Sequence, residues 1–274
     1  MDDASSIRLG IFLTVLALML LLERCFPARK FPNTATTPKQ GTRLFGNVAI
    51  LVISAVAARL VLPIGLAGLA LFGHQQQWGF LPYIGLPNWA NIGLSLLLLD
   101  LLIYWQHRLF HRIPLLWRLH KVHHADVHVD STTALRFHPI EITVSIGVKA
   151  LAVIILGVPA SAVILFEILL NGLAIFNHAN IRLSPTLERI TRTILVTQIL
   201  HRIHHSQIIS ESNSNFGSSI VWWDRLFGTY SAQASKADND IDIGLGEYQD
   251  AKHNAKLWGL LRMPFLSQKP FKKE

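Results

Sequence analysis

Long apolar runs, separated by shorter polar stretches, set the pattern of the chain. The first run covers about Ile11 to Leu22, reaches back to Leu9, and is bounded by Arg8 and by Glu23-Arg24. The acidic Asp2-Asp3 before it and Cys25-Phe26-Pro27 after it do not suit a cleaved signal peptide, so an uncleaved membrane helix is expected. A second run goes from about Leu44 to Leu62, with Arg59 near its far end, where a long side chain can reach the interface. From Val61 to Ala90 there is no Lys or Arg, and Pro63, Pro82 and Pro87 predict a loop or a broken apolar segment. A third run covers about Asn91 to Trp105. A fourth region, Ile142 to Phe176, is too long for one simple span; Gly157 and Pro159 divide it, which predicts a hairpin of two helices. The pattern therefore predicts an all-α, integral membrane helical bundle with about four spans, or three plus a hairpin. Several runs fall short of the ~20 residues expected of a span, so a soluble helical protein with buried helices is the competing reading.

Composition favours the membrane reading. Of 274 residues, 51% are hydrophobic and only 15% charged, and the mean hydropathy is +0.37. An ordinary soluble domain carries about 25% charged residues. Disorder needs the opposite balance, and a disulfide scaffold needs more than the single Cys25. The net charge of +8 is parcelled into particular segments. Glu23 to Arg43 holds Arg24, Arg29, Lys30, Lys39 and Arg43; His107 to Glu141 holds Arg108, Arg112, Arg118, Lys121 and Arg136. Such asymmetry marks the cytoplasmic side of a membrane protein and speaks against nucleic acid as a partner. It predicts an amino terminus outside, with the basic segments in the cytoplasm.

The 13 histidines carry the candidate chemistry. His107 and His111 are four apart; His120, His123 and His124 stand at i, i+3 and i+4; His201, His204 and His205 repeat that spacing. Residues three and four apart share a helix face, so each cluster offers two or three imidazoles in one direction, just past the end of an apolar run. Imidazole suits zinc, copper, iron or nickel. Eight nitrogens are too many for one tetrahedral zinc and about right for two metal ions. HExxH is absent, as is the ExxH carboxylate pair of soluble di-iron bundles. His74 and His253 stand alone and are read as ordinary residues.

At these residues the sequence resembles the fatty acid hydroxylase / sterol desaturase superfamily. Asp100-x3-Tyr104-x2-His107-Arg108-Leu109-Phe110-His111 is similar to its first histidine box, and His120-Lys121-Val122-His123-His124 to its second. Ala134 to Glu141 resembles the segment that follows, and Asn177-His178-Ala179-Asn180 the isolated histidine near the third box. His201-Arg202-Ile203-His204-His205 resembles that box itself; Asn213 to Gly217 and Trp223 to Thr229 resemble the closing motifs. The resemblance implies one domain over residues 1–274 with a catalytic core over 91–230, and a cytoplasmic helical cap carrying the boxes. It also implies two iron ions, with zinc able to take their place in purified protein, and O2 as co-substrate to hydroxylate or desaturate a lipid C–H bond. The metal ligands it implies are His107, His111, His120, His123, His124, His178, His201, His204 and His205. His138 matches a family histidine too, but its lone position equally suits a structural role at the Pro139 turn.

Asp100 lies inside an apolar run, where a carboxyl is costly unless paired or functional; a hydrogen bond to Tyr104 is the plain alternative. Glu141 and Asp224 are candidates to orient ligand rings, Asp224 also to cap or to pair with Arg225. Asn213, Asn215 and Gly217 read as a turn, with Gly217 supplying backbone freedom. No GxGxxG or HPGG-type motif occurs, so electrons are expected from a separate ferredoxin, or a haem protein with its reductase. The basic face would steer an acidic donor or bind anionic headgroups. A carotenoid-ring hydroxylase and a non-catalytic metal-binding membrane protein are the competing functions. Lys272-Lys273 followed only by Glu274 is not a dilysine retrieval pattern, which points to a bacterial inner membrane.

Overall fold

The computed structural model describes residues 2–32, 34, 37–246 and 254–266; His253 and the Lys272-Lys273-Glu274 end lie outside them. The described residues are helical with a few isolated bridges and no strand. The membrane layer holds α1 (Asp2–Cys25), α2 (Gln40–Val61), α3 (Gly65–Gln75), α4 (Asn88–Arg112), α6 (Pro139–Leu156) and α7 (Ala160–His178). Five stretches are long and apolar enough to cross a membrane: Ser5–Cys25, Gln40–Gln75, Asn88–Arg112, Pro139–Leu156 and Ala160–His178. The chain is thus an integral membrane helical bundle, three spans plus a hairpin.

The helices outrun the apolar runs. Polar ends such as Gln106 to Arg112 stay helical and lengthen α4 to 25 residues, so runs too short to span belong to helices that do. The hairpin splits at Gly157, whose φ of +69° is a left-handed turn. There the 78–82 segment presses on the turn: a Cβ at Gly79 would lie 2.0 Å from the Gly157 nitrogen. In the charge-free stretch after Val61 the chain is not simply a loop. Pro63 ends α2, and the Leu- and Ala-rich segment beyond it forms α3 against α6 and α7.

Leu66, Leu99, Ile103, Val153, Val163 and Phe166 form the core between α3, α4, α6 and α7. Around it, Leu13, Val52, Val56, Leu60, Leu151 and Ile155 stay exposed, as lipid-facing side chains do. At one end of the bundle lies a cap built from α5 (Pro114–His124), α8 (Pro185–Thr191), α9 (Gln198–His204), α10 (Ile209–Ser212), α11 (Trp222–Leu226) and intervening loops. Glu23, at the end of α1, accepts from the Ser131 and Asn180 backbone N–H groups, both at 2.7 Å. Through these bonds the first span holds the cap.

The charge pattern needs one correction. Arg43, Lys121, Arg136 and Arg202 are buried, the least expected fate for basic residues. Arg43 forms ion pairs with Asp126 and Asp130, both at 2.6 Å, and Arg202 holds Asp238 at 2.6 Å. Only Arg24, Lys30, Lys39, Arg112 and Arg118 of the basic residues named here are open at that end.

Candidate metal centre

Four helix ends meet where the bundle joins the cap. α4 brings His107 and His111 on one face of its last turns, α5 ends in His120, His123 and His124, α7 ends in His178, and α9 with the residue after it supplies His201, His204 and His205. The i, i+3, i+4 spacing aims each set inward. The nine fall into two groups: His107, His111, His120, His124 and His204 in one, His123, His178, His201 and His205 in the other, with the ligand atoms of each group within 4.8 Å of one another. The groups adjoin, as the His124 and His205 rings stack with centroids 4.4 Å apart.

Hydrogen bonds fix which nitrogen faces inward. His107 Nδ1 donates to the Phe216 carbonyl at 2.8 Å, His204 Nδ1 to Ser214 at 2.7 Å, and His178 Nδ1 to Ala174 at 2.7 Å. His120 Nδ1 lies 2.6 Å from Glu141 Oε1, a carboxylate acceptor. With the ring proton spent on Nδ1, each Nε2 is a bare lone pair. Yet His107 and His120 bring their Nε2 atoms to 3.1 Å of each other. The Nε2 atoms of His111 and His124 also lie 3.1 Å apart; His178 and His123 are at 3.1 Å, and His201 and His178 at 2.9 Å. His204 Nε2 is buried without a hydrogen-bond partner. Burial, then the neighbouring imidazoles, pushes His123, His124, His201 and His205 well below the usual range, and burial takes His204 down to about 3. In the His107–His120 pair both Nδ1 atoms are engaged, so two Nε2 lone pairs face each other, an arrangement that a cation between them satisfies. The ligand atoms of each group lie close enough together for one ion to reach them. The donor set therefore fits metal ions, one per group.

Glu141, at the start of α6, joins neither group and instead holds the His120 ring. Glu141→Gln keeps the shape and removes the charge. It is expected to weaken metal affinity about 10- to 100-fold, read by chelator competition; unchanged affinity would assign Glu141 to packing. Asp224 also stands back. It accepts from the backbone N–H groups of Phe216 at 2.7 Å and Gly217 at 2.8 Å, and from the Thr229 hydroxyl at 2.7 Å. Burial nonetheless pushes it up to about 6. It thereby fixes the loop whose carbonyls orient His107 and His204, and Arg225 turns elsewhere, to the Arg192 carbonyl. In that loop Asn215, not Gly217, takes the left-handed conformation, with φ of +51°. Gly217 is required by space, since a Cβ there would lie 2.8 Å from Asp224 Oδ2.

His138 is apart from both groups. Its Nδ1 accepts from Ile140 N–H at 3.2 Å and caps α6, and its Nε2 lies 3.3 Å from the Leu261 carbonyl. Asp100 accepts from the Trp223 indole at 2.8 Å, while Tyr104 bonds Thr229 at 2.8 Å, so the two do not pair. His74 is exposed. Sequence reasoning missed the buried set of Arg43, Asp126, His128 and Asp130 beside the second histidine box. Its signal was the pair of acids in an otherwise basic segment. A cavity of about 220 Å³ runs into the membrane layer from His107, His120, His123, His178 and His201.

A family model described as fatty acid hydroxylase matches residues 92–229. The chain is 27% identical to ornithine lipid hydroxylase OlsE of Rhizobium tropici over 85% of its own length and 70% of that protein's. It is 27% identical to the alkylglycerol monooxygenase of Danio rerio over 73% of this chain, but spans only 43% of that protein. It is 31% identical to a cholesterol 25-hydroxylase-like protein of Danio rerio, over 51% of this chain and 55% of that one. No solved structure matches. All nine clustered histidines fall inside the matched residues, and the chain belongs to the fatty acid hydroxylase family.

Proposed function

We propose that this chain is a membrane-bound, O2-dependent di-iron hydroxylase acting on a lipid C–H bond, with His107, His111, His120, His124 and His204 holding one iron and His123, His178, His201 and His205 the other. The observation that carries this reading is the cavity, which joins the two histidine groups to the membrane layer and is lined by apolar side chains such as Phe12, Leu51, Ile103 and Leu170. Relatives named as hydroxylases or monooxygenases favour alcohol over alkene as the product. Bound iron would supply the activation of O2, one oxygen atom entering the C–H bond and the other leaving as water with two electrons and two protons from a separate donor.

The chain's own residues position and exclude. Glu141 and the carbonyls of Ala174, Ser214 and Phe216 hold four rings in one tautomer. Phe137 stacks on His123 at 4.4 Å and Phe110 lines the cavity, so a lipid chain inside displaces water from the metal end. The histidines lie at the end where Arg24, Lys39, Arg112 and Arg118 are exposed, which supports a cytoplasmic catalytic face in a bacterial inner membrane and a docking side for a ferredoxin or haem-protein donor. Purified gently from iron-supplied cells, the protein is expected to carry about two irons per chain, one per histidine group, and to consume O2 only with both reductant and lipid. A single metal per chain, or O2 uptake indifferent to lipid, would refute the reading.

A further inference from the structure

One charged group in the membrane layer is unexplained by the metal centre. Lys149 stands ten residues from Pro139 and seven from Leu156 in α6, about 15 Å and about 10 Å from the two helix ends. A four-carbon stem reaches neither interface from there. Glu167 of α7, the carboxylate whose field Lys149 feels, is taken by Arg8 of α1 in a direct ion pair. Among the described residues Lys149 forms no ion pair of its own. Two cations therefore face one carboxylate, and one positive charge in the membrane layer is left to be met. A charge at such depth is costly and marks function or a partner.

Lys149 lines the cavity that ends at the histidines. So do Gln106 and Ser145, joined by a 3.0 Å hydrogen bond that leaves the other carboxamide atom of Gln106 buried without a partner. Along α6, Ser145 is one turn and Lys149 two turns from Glu141, the residue that holds His120. The cavity lining thus holds the metal-binding nitrogens, the Gln106–Ser145 pair close to them, apolar walls, and Lys149 a further turn along α6.

We propose, building on the lipid hydroxylase reading above, that Lys149 anchors the oxygen of an acyl group, carboxylate or carbonyl, and so selects which carbon of the chain meets the histidines. The ammonium donates to that oxygen, and the alkyl segment runs along Phe12, Leu51 and Ile103 and past the Gln106–Ser145 pair toward the histidines. Lys149 lies about 12 Å along α6 from Glu141, so the anchored oxygen is held well away from the histidines and a carbon farther along the chain meets them. A carboxylate would also cancel the residual charge.

The test compares retention of radiolabelled palmitate, methyl palmitate and hexadecane by the full-length protein in detergent, with iron content measured on the same samples. The wild-type protein is expected to hold palmitate at least tenfold more tightly than hexadecane. Tight binding of methyl palmitate as well identifies the carbonyl as the anchored group, and its loss identifies the carboxylate. Lys149→Met should bring the oxygen-bearing probes down to the level of hexadecane without lowering iron, and Lys149→Arg should keep the preference. Equal retention of all three probes by the wild type overturns the proposal, and that comparison stands even where Lys149→Met fails to fold. Undiminished palmitate binding by folded Lys149→Met overturns it too. Absence of iron and of O2 uptake would instead count against the hydroxylase reading and leave the binding comparison to decide the role of Lys149.

Discussion

Alanine at His123 or at His204 is expected to abolish lipid hydroxylation, with a loss of at least 10³-fold, equivalent to about 4 kcal/mol of barrier. The two residues come from different groups, so each substitution should cost the ion of its own group and leave a content near one metal per chain. The reason is local. His204 holds its Nε2 inward by donating Nδ1 to the Ser214 carbonyl, and His123 sets its Nε2 3.1 Å from that of His178. Removing one imidazole takes one of the nitrogens that would hold the ion of that group. Metal analysis and lipid-dependent O2 uptake on the same preparation check this. Full activity in either variant would remove that residue from the centre and with it the two-ion arrangement.

The second large effect is on stability, at Arg43. This guanidinium is only 1% exposed. It donates to Asp126, to Asp130, to the His128 carbonyl at 2.6 Å and to the Thr133 hydroxyl at 3.0 Å. Arg136 stands 3.8 Å from Asp126 and cannot replace these contacts. Burial by itself would raise Asp126, but Arg43 and Arg136, with the Arg43 and Thr133 hydrogen bonds, hold it well below the ordinary carboxylate range. Arg43→Met strands two buried carboxylates and should destabilise the protein by about 3–5 kcal/mol, measured by thermal unfolding in detergent. Asp126→Asn on top of Arg43→Met should recover part of the loss, because one of the stranded charges is then gone. The sign with pH follows. A depressed carboxylate contributes stability above its unfolded value of about 3.9 and loses it as pH falls through the folded value. The wild type should therefore lose this contribution only in acid, and the variant should lack it at neutral pH. A variant that melts with the wild type would show that water satisfies the cluster. Metal content should fall along with stability, since Asp126 follows His124 by two residues and the network ties the second histidine box to α2.

Much of this protein was legible from residue order alone, because the governing interactions are local. The apolar runs foretold a helical membrane bundle, and Gly157 with Pro159 foretold the hairpin. The i, i+3, i+4 histidines foretold which rings share a direction, since helical spacing needs only neighbours. The reading failed where neighbours were not enough. Whether the stretch after Val61 is a loop or a broken apolar segment stayed open in the sequence; it is the latter, and it formed α3 because α6 and α7 offered it a surface. Arg43 and Arg136 read as surface charge, while acids more than 80 residues from Arg43 drew it into the interior. Gly217 was assigned backbone freedom, but the space taken by Asp224 is what requires it.

The sequence by itself thus determined the long membrane helices, eight of the imidazoles by their spacing and the ninth, His178, by its resemblance to the family motif. Only the tertiary structure decided how the nine divide into five and four, which nitrogen each presents, and that Lys149 faces the same cavity. Those features depend on single hydrogen bonds and ion pairs between segments far apart in the chain, such as His107 to the Phe216 carbonyl and Arg8 to Glu167. Helical periodicity sets the direction of a side chain, but its partner is fixed only when distant segments pack against it.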